Sequence, residues 1–435
     1  MSSESIQTIV ESLSHDGRGV ATLNGKTAFI SGALAKETVV CKITKKHRRY
    51  NEAQTLEVIT PAPERVIPAC PHFGICGGCS MQHIEMTAQV QLKQQTLLEQ
   101  LKHFGKVIPE HVLPPIVGNP WGYRRKARLG VRYVHKKQKL LVGFREKFSN
   151  YLAEINECLV LHPSVGTRLT QLSELIRGLS QYEHIPQIEV AVSDETTALV
   201  FRHMTELNEN DISALIEFGK QYQFEIYLQP NPPAKIHKIW PQNQVERLSY
   251  FLPEYQLEMR FHPLDFTQVN GEINQLMIQQ ALKLLDVQST DTVLDLFCGL
   301  GNFTLPIARL AKQVVGVEGS AEMVARAQEN ALHNNIHNTE FFAANLMNEK
   351  LSAPWLEKSY DKILLDPPRT GAKEIIPLIS TKSAKRLVYV SCNPATLARD
   401  AGELVYNYQY KLTHVGVINM FPHTSHIEAI ALFEK

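Results

Sequence analysis

The sequence has little that would indicate a membrane, secretion or a general attraction to polyanions. None of its apolar runs approaches the roughly 18 residues that a membrane helix needs. Its first residues, Met1–Ser5, lack the basic start and apolar stretch of a secretory signal. Its formal net charge is only +1 over 435 residues, so the total charge does not indicate any partner. We expect a cytoplasmic, monomeric protein with no membrane partner.

Cysteine is scarce, with seven residues in the chain. An odd number of cysteines in a sequence without a secretory signal argues against a disulfide framework. Four of these cysteines could act together as metal ligands, three of them close in sequence: Cys70, Cys76, Cys79 and Cys158. Four thiolates suit either a tetrahedral zinc site or an iron–sulfur cluster. His72, His83 and His162 could also enter a zinc site. The spacing alone leaves the two kinds of metal site open.

Positive charge is concentrated in two short blocks. The first comprises Lys42, Lys45, Lys46, Arg48 and Arg49, and the second comprises Arg124, Arg125, Lys126, Arg128, Arg132, Lys136, Lys137 and Lys139. Either block alone could be a solvated strand face. Because local basic patches hold phosphates even on a neutral chain, the two blocks together favour a nucleic acid partner.

The hydrophobic pattern predicts three regions with boundaries at 1–62, 63–264 and 265–435. Turn pairs at Asp16–Gly17 and Asn24–Gly25 between short strands predict a small β-barrel in the first region. In the central α/β region we predict a helix over 85–104 and strands over 125–134, 140–144 and 188–201. The last region alternates strands and helices, which predicts a doubly wound parallel sheet.

A glycine-containing turn follows the first strand of this last region. Cys298-Gly299-Leu300-Gly301-Asn302 links a predicted strand at 292–297 to a helix, and Glu318 ends the next strand. The glycines allow a ligand to approach the backbone, and the carboxylate is placed to bind ribose hydroxyls. Dinucleotide and triphosphate motifs are missing from this turn. A ligand with ribose and adenine but no phosphate fits, as in S-adenosylmethionine.

Three further motifs identify a resemblance. These are Asp366-Pro367-Pro368-Arg369, Ser391-Cys392-Asn393-Pro394 and a carboxylate near the end of the chain, Glu428. With the glycine turn they make the whole chain resemble the uracil-C5 RNA methyltransferases, which implies a class I, Rossmann-like methyltransferase fold. The resemblance implies that S-adenosylmethionine contacts Gln268, Phe297, Asn302, Glu318, Asn345 and Asp366.

The expected chemistry needs a nucleophile and a base. Carbon 5 of uracil becomes nucleophilic enough to accept a methyl group once a thiolate has added to carbon 6. The resemblance gives the thiolate to Cys392 and the removal of the carbon 5 proton to Glu428. The Cys392 thiol must therefore have a lowered pKa or lose its proton on attack. We interpret Cys298 as a packing residue.

The resemblance also implies partners and a metal. Ribosomal members of the family carry a [4Fe-4S] cluster on this cysteine pattern, and residues 1–62 resemble a TRAM domain, an RNA-binding barrel. Together these imply 23S rRNA as the substrate, with the target base single-stranded or flipped from a loop. The alternatives are the same chemistry on transfer RNA or another ribosomal uridine, an amino-group methyltransferase, and a non-catalytic, metal-bearing RNA-binding protein.

Overall fold

The computed structural model describes residues 5–231, 236–242, 247–348, 351–380 and 384–435. Residues 1–4 lie outside these ranges. They are part of the Met1–Ser5 segment, which lacks the features of a secretory signal. The chain forms two compact units. Unit 1 comprises residues 1–96, 145–153 and 421–426, and unit 2 comprises residues 97–144, 154–420 and 427–435. Within the described ranges, no helix is both long and apolar enough to cross a bilayer.

Unit 1 begins with a small β-barrel. Its described strands are β1 Ser5–Ile9, β2 Ser12–Leu13, β3 Gly19–Leu23, β4 Lys26–Ser31, β5 Thr38–Lys46 and β6 Tyr50–Thr60. They form a sheet in the order β1-β5-β6-β4-β3-β2. Since β1 and β2 are successive parts of one bent segment, the two edges of the sheet are joined and the barrel closes. The predicted barrel is therefore confirmed.

The rest of unit 1 contains little regular structure. The cysteine segment, residues 64–85, consists mainly of turns, and it is followed by α1 Met86–Gln100. The predicted helix over 85–104 ends differently from expected, because Leu101–Gly105 form a π-helical turn and Lys106 closes it with a φ of 56°. The segment 145–153 pairs with the cysteine segment, since Gly77 N donates to Arg145 O and Lys147 N donates to Ile75 O.

Unit 2 begins with an α/β region. Its elements are β7 His111–Val112, β8 Lys126–Val134, β9 Lys139–Gly143, α2 Pro163–Gly166, α3 Leu169–Gly178, β10 Gln187–Val192, β11 Thr197–His203, α4 Glu209–Tyr222, β12 Phe224–Pro230, β13 His237–Trp240, β14 Leu248–Leu252 and β15 Leu257–Phe261. The prediction of one strand over 188–201 is wrong, because β10 and β11 form a hairpin. The Ser193 hydroxyl accepts hydrogen bonds from the backbone amides of Glu195 and Thr196, which fixes the turn.

The remaining elements of unit 2 alternate as predicted. They are α5 Gly271–Leu285, β16 Thr292–Leu296, α6 Thr304–Ala308, β17 Gln313–Glu318, α7 Ala321–His333, β18 Thr339–Ala343, β19 Lys362–Leu365, α8 Ile376–Ser380, β20 Arg386–Ser391, α9 Pro394–Tyr408, β21 Lys411–Ile418 and β22 Glu428–Glu434. The sheet order is β18-β17-β16-β19-β20-β22-β21-β7. Apolar side chains of α9, including Leu397 and Ala401, share a core with Ile363 and Leu365 of β19.

This large sheet differs from the predicted parallel sheet in one respect. Strands β16 to β20 pair in parallel with their neighbours, but β22 lies antiparallel between β20 and β21. The reason is that β22 follows β21 directly through a loop and then inserts beside β20. The strand order reverses between β16 and β19, and ligands of open α/β sheets bind at such a point, beyond the carboxyl ends of the strands.

Candidate active site

Cys392 lies in a short loop between β20 and α9, at the carboxyl edge of the sheet. The hydroxyl of Ser391 accepts a hydrogen bond from Asn393 N and donates one to Asn393 O, at 3.2 and 3.0 Å. The Asn393 side chain caps α9 by accepting from Ala395 N, and it donates to Arg369 O at 2.9 Å. The Ser-Cys-Asn-Pro motif is therefore hydrogen-bonded to the Asp-Pro-Pro-Arg motif.

Glu428 reaches the same edge from a different strand. It is the first residue of β22, and it is buried, with 8% of its surface exposed. Ser391, directly before Cys392, pairs with Ala429, directly after Glu428, and the Glu428 charge acts on the Cys392 thiol. The two residues expected to act as nucleophile and base are thus brought together by strand pairing between residues far apart in sequence.

The surroundings of Cys392 favour the neutral thiol. Burial raises the pKa of this thiol, the negative charges of Glu428 and Asp366 raise it further, and the Arg369 guanidinium acts in the opposite direction. Of the two routes that the sequence leaves open, this arrangement favours loss of the thiol proton on attack over a lowered thiol pKa.

The glycine turn after β16 adopts a strained backbone. Phe297 has a φ of 64°, and Gly299 and Gly301 also have positive φ values of 55° and 95°. A left-handed conformation at a residue with a bulky side chain typically costs about 1–3 kcal/mol and is found mostly at functional sites. No atom lies within 4 Å of where a Cβ on Gly299 would be, so a ligand could approach its backbone.

Glu318 ends β17 directly beside this turn. One of its carboxylate oxygens accepts a hydrogen bond from Gly299 N at 3.2 Å, and the other accepts one from Ser320 N at 3.0 Å. Cys298, in the turn itself, is buried against Gly316. Burial raises the pKa of its thiol well above the ordinary value, with Asp295 and Glu318 adding to the shift. The burial of Cys298 agrees with its interpretation as a packing residue.

Two acids, one half-buried and one buried, lie at the carboxyl ends of the central strands. Asp366 follows β19, and burial raises its pKa to about 7. Asp295, in β16, is 1% exposed, and burial raises its pKa to about 8 against the hydrogen bond that Thr304 donates to it at 2.5 Å. The charges of Asp366 and Glu318 add to this increase. Sequence reasoning missed Asp295, although an acid inside an otherwise apolar strand was a visible signal.

Gln268 lines a pocket of about 250 Å³, and Asn302 is hydrogen-bonded to two other residues that line it. Gln268 lines this pocket together with Tyr250 and Asn274. Asn302 and Asn274 exchange two amide hydrogen bonds of 2.8 and 3.0 Å, and the Tyr250 hydroxyl donates to Asn302 Oδ1 at 2.8 Å. Tyr250 and Asn274 were not identified from the sequence, because neither lies in a recognisable motif.

Asn345 lies apart from this network. It follows β18, its side chain is exposed, and Asn345 Oδ1 accepts a hydrogen bond from Met347 N at 3.0 Å. The preceding residue, Ala344, donates its amide to Glu318 O at 2.9 Å. The backbone directly before Asn345 therefore lies next to Glu318 at the end of β17.

The cysteines that could bind a metal are divided between the two units. Cys70, Cys76 and Cys79 lie in unit 1, and Cys158 lies in unit 2. All four are half-buried and outside any disulfide. Gly78 N donates to Cys76 Sγ at 3.4 Å, and burial raises the pKa of Cys76, with Cys70 adding to the shift. In the part of the chain that the structure describes, no three His, Cys, Asp or Glu side chains are already arranged around a metal position.

The two basic blocks differ in their surroundings. In the barrel block, Lys45, Lys46, Arg48 and Arg49 are exposed, and His47 stacks on Tyr50 with ring centroids 4.3 Å apart. In the second block, by contrast, half of the eight cations are paired with carboxylates: Arg125 with Asp194, Arg128 with Glu189, and Lys137 and Lys139 with Glu154. The barrel block is the better phosphate-binding surface.

The chain matches known proteins over its full length. The model of the tRNA (Uracil-5-)-methyltransferase family matches residues 87–435. The chain belongs to this family. The TRAM domain model matches residues 5–56, which is the barrel.

Curated relatives in the family are similar over nearly the whole chain. A 23S rRNA (uracil(1939)-C(5))-methyltransferase RlmD from Hahella chejuensis is 54% identical, with 99% of this chain and 98% of that one covered. The protein of the same name from Alkalilimnicola ehrlichii is 51% identical over 99% and 97%. The Pyrococcus abyssi tRNA (uracil-54, C5)-methyltransferase, solved with S-adenosyl-L-homocysteine, is 23% identical with a TM-score of 0.75 over 98% and 100%, which shows the shared fold.

Proposed function

We propose that this protein transfers a methyl group from S-adenosylmethionine to carbon 5 of a uridine in 23S rRNA. The observation that carries the proposal is the pairing of β20 with β22, which brings the Cys392 loop next to Glu428, with the charges of Glu428 and Asp366 both acting on the Cys392 thiol. The names of relatives about half identical over the whole chain support the ribosomal substrate and indicate the uridine equivalent to position 1939. The opposed cysteine and carboxylate disfavour an amino-group methyltransferase, which needs no nucleophilic thiol.

Cys392 and Glu428 would divide the reaction between them. Cys392 Sγ would add to carbon 6 of the uracil as its proton passes to water, and electron density would move to carbon 5. Carbon 5 then takes the methyl group, which the sulfonium of the cofactor supplies. Glu428 removes the remaining proton from carbon 5, and the bond between sulfur and carbon 6 breaks. Burial of Glu428 keeps bulk water away from this proton transfer.

Six residues would hold the cofactor. The ribose hydroxyls of the cofactor would donate hydrogen bonds to the Glu318 carboxylate. This carboxylate is already oriented by the amides of Gly299 and Ser320. The open space beside Gly299 leaves room for the ligand next to the strained turn at Phe297. The other proposed contacts are Gln268, Asn302, Asn345 and Asp366, of which the first two are linked through Tyr250 and Asn274.

We also propose that RNA binds through the barrel and the region that follows it. The exposed cations and the stacked His47–Tyr50 pair suit phosphate contact combined with base stacking. The functional division would be 1–62 for RNA binding, 63–264 for the metal centre and RNA contacts, and 265–435 for methyl transfer. The protein would act as a monomer in the cytoplasm.

A [4Fe-4S] cluster on Cys70, Cys76, Cys79 and Cys158 is part of this proposal. Four thiolates are a ligand set of such clusters, and the proposal is supported by the absence of all four thiols from disulfides and by the amide that donates to Cys76 Sγ, as amides do around cluster sulfurs. Protein purified without oxygen should be brown, and Cys76→Ala should lose the colour while Cys41→Ala, in the barrel core, should keep it. A colourless protein containing zinc would contradict the cluster.

The substrate is tested by mapping 5-methyluridine. We expect purified protein and labelled S-adenosylmethionine to methylate 23S rRNA from cells that lack this protein, at one uridine. Transfer RNA transcripts serve as the comparison. Labelling of transfer RNA alone would place the same chemistry on the other substrate, and RNA binding without any labelling would leave a non-catalytic RNA-binding protein.

A further inference from the structure

The loop Phe421–His426 joins β21 to β22 and ends two residues before Glu428. By its contacts it belongs to unit 1, with the cysteine segment and the start of α1, and not to the sheet whose strands it connects. His423 and Thr424 are buried, and His423 has a φ of 66°. A connection between two strands is usually exposed and variable, so this buried, strained loop is unusual.

The cysteine segment holds the middle of this loop. Ser80 N and Met81 N both donate to His423 O, at 2.9 and 3.0 Å. The Ser80 hydroxyl also accepts a hydrogen bond from Ser425 N at 3.1 Å. Ser80 directly follows Cys79 in the chain, so the turn that carries one of the candidate metal ligands is bonded to the loop that precedes Glu428.

Helix α1 holds the same loop through two buried polar side chains. Gln89 accepts from His423 N at 3.0 Å and donates to His423 Nδ1 at 3.4 Å, while a further bond to Ile84 O fixes its orientation. Lys93, which is 1% exposed, donates from Nζ to Phe421 O at 2.9 Å. Burying an ammonium group is costly, so a lysine at this position needs a compensating role.

We propose that Lys93, Gln89 and Ser80 are positioning residues that fix this loop and thereby set Glu428 for removal of the carbon 5 proton. The inference rests on the proposed function. It assigns unit 1 a part in the last chemical step, in addition to any part in RNA binding. Addition of Cys392 to carbon 6 does not require this loop, because the Cys392 loop is held by Ser391, Asn393 and Arg369.

Two RNA substrates separate the steps. RNA with 5-fluorouridine stops at the covalent adduct after methyl transfer, so it reports addition without proton removal. Ordinary RNA reports the complete reaction, and a slow last step leaves a covalent adduct visible on a denaturing gel. We expect Lys93→Met to form the fluorouridine adduct within about twofold of the wild-type rate. On ordinary RNA it should accumulate adduct and turn over about 10-fold to 100-fold more slowly.

The control is Lys102→Met, which removes an exposed lysine just beyond the same helix and should behave as wild type. Ser80→Ala removes a single acceptor, so it decides the question if Lys93→Met does not fold. Normal turnover in Ser80→Ala and Lys93→Met, or an equal loss of both rates, would overturn the inference. A wild-type protein that formed no fluorouridine adduct would contradict the proposed function itself. That outcome is distinguishable from failure of the positioning inference alone.

Discussion

Around Cys392 the nearest ionisable groups are mostly acidic. Burial, Glu428 and Asp366 raise the pKa of the thiol, although the proposed reaction requires a thiolate. We therefore expect the Cys392 thiol to stay protonated until the uracil is bound. An unreactive resting thiol is also less exposed to oxidation, since oxidation follows thiolate character.

Glu428→Gln should separate methyl transfer from product release. The amide preserves the size of the side chain but cannot accept the carbon 5 proton, so the covalent intermediate should persist. We expect a methylated protein–RNA adduct on denaturing gels and a loss of turnover on the order of 10²-fold or more. Glu434→Gln, at the other end of the same strand, serves as the control. Ordinary turnover in Glu428→Gln would assign the proton transfer to another group.

Asp295 should make the folded protein less stable as pH rises. Its carboxyl is protonated up to about pH 8 in the folded state but ionises near its ordinary pKa of 3.8 in the unfolded state. Between these values the folded state binds more protons, so its stability falls by up to about 1.4 kcal/mol per pH unit. Asp295→Asn should reduce the wild-type slope in urea unfolding between about pH 5 and pH 8 by this amount, leaving the smaller range up to about pH 7 that Asp366 contributes.

The matched control for this slope is Asp286→Asn. Asp286 is exposed and occupies the left-handed position that ends α5, which asparagine tolerates. The control should therefore keep the wild-type dependence on pH. Parallel stability curves for wild type and Asp295→Asn would show that Asp295 does not hold its proton in the folded state.

At the scale of elements, the start of α9 combines a stabilising and a catalytic task. Asn393 caps the helix and also bonds Arg369 O, so it holds Cys392 between two motifs. Asn208 caps α4 in the same way, by accepting from Asp211 N, but lies in a different sheet region. The two asparagines therefore offer equal helix caps with different neighbours.

Alanine at either cap should cost about 1 kcal/mol of the free energy of unfolding. Only Asn393→Ala should also slow formation of the fluorouridine adduct, because only this cap orients the Cys392 loop. Urea unfolding and adduct kinetics measured on both variants test this expectation. Equal adduct rates in Asn393→Ala and Asn208→Ala would mean that the motif serves the helix alone.

The sequence predicted local elements better than long-range pairing. The barrel and the alternation from β16 to β20 follow from turn residues and apolar runs that act within one segment. The insertion of β22 beside β20 could not be read locally, since it depends on pairing with residues about forty positions away. For the same reason the motifs revealed Cys392 and Glu428, whereas Tyr250 and Asn274 became visible only when separate segments met in one pocket.

At the scale of the whole molecule, nearly neutral charge is combined with one exposed basic surface. Four cations of the barrel block are exposed in the structure, whereas half of the cations in the second block are paired with Asp194, Glu189 or Glu154. RNA affinity should therefore depend on the barrel more than the number of basic residues in each block would indicate.

Replacing Lys45, Lys46, Arg48 and Arg49 together with glutamine should weaken RNA binding and reduce its dependence on salt. Each lost phosphate contact should lower the slope of log affinity against log salt concentration by about 0.7–0.9. Lys283→Gln with Lys312→Gln, two exposed lysines of the last region, is the control. An unchanged slope in the fourfold variant would show that the barrel does not contact the phosphates.

The central claim is that Cys392 forms a covalent bond to uracil carbon 6. Its most direct test is a denaturing gel of wild-type protein, S-adenosylmethionine and 23S rRNA fragments containing 5-fluorouridine. The account predicts a stable protein–RNA adduct that carries the methyl label, that Cys298→Ala still forms and that Cys392→Ala does not. No adduct with the wild-type protein, or an adduct that persists in Cys392→Ala, would contradict it.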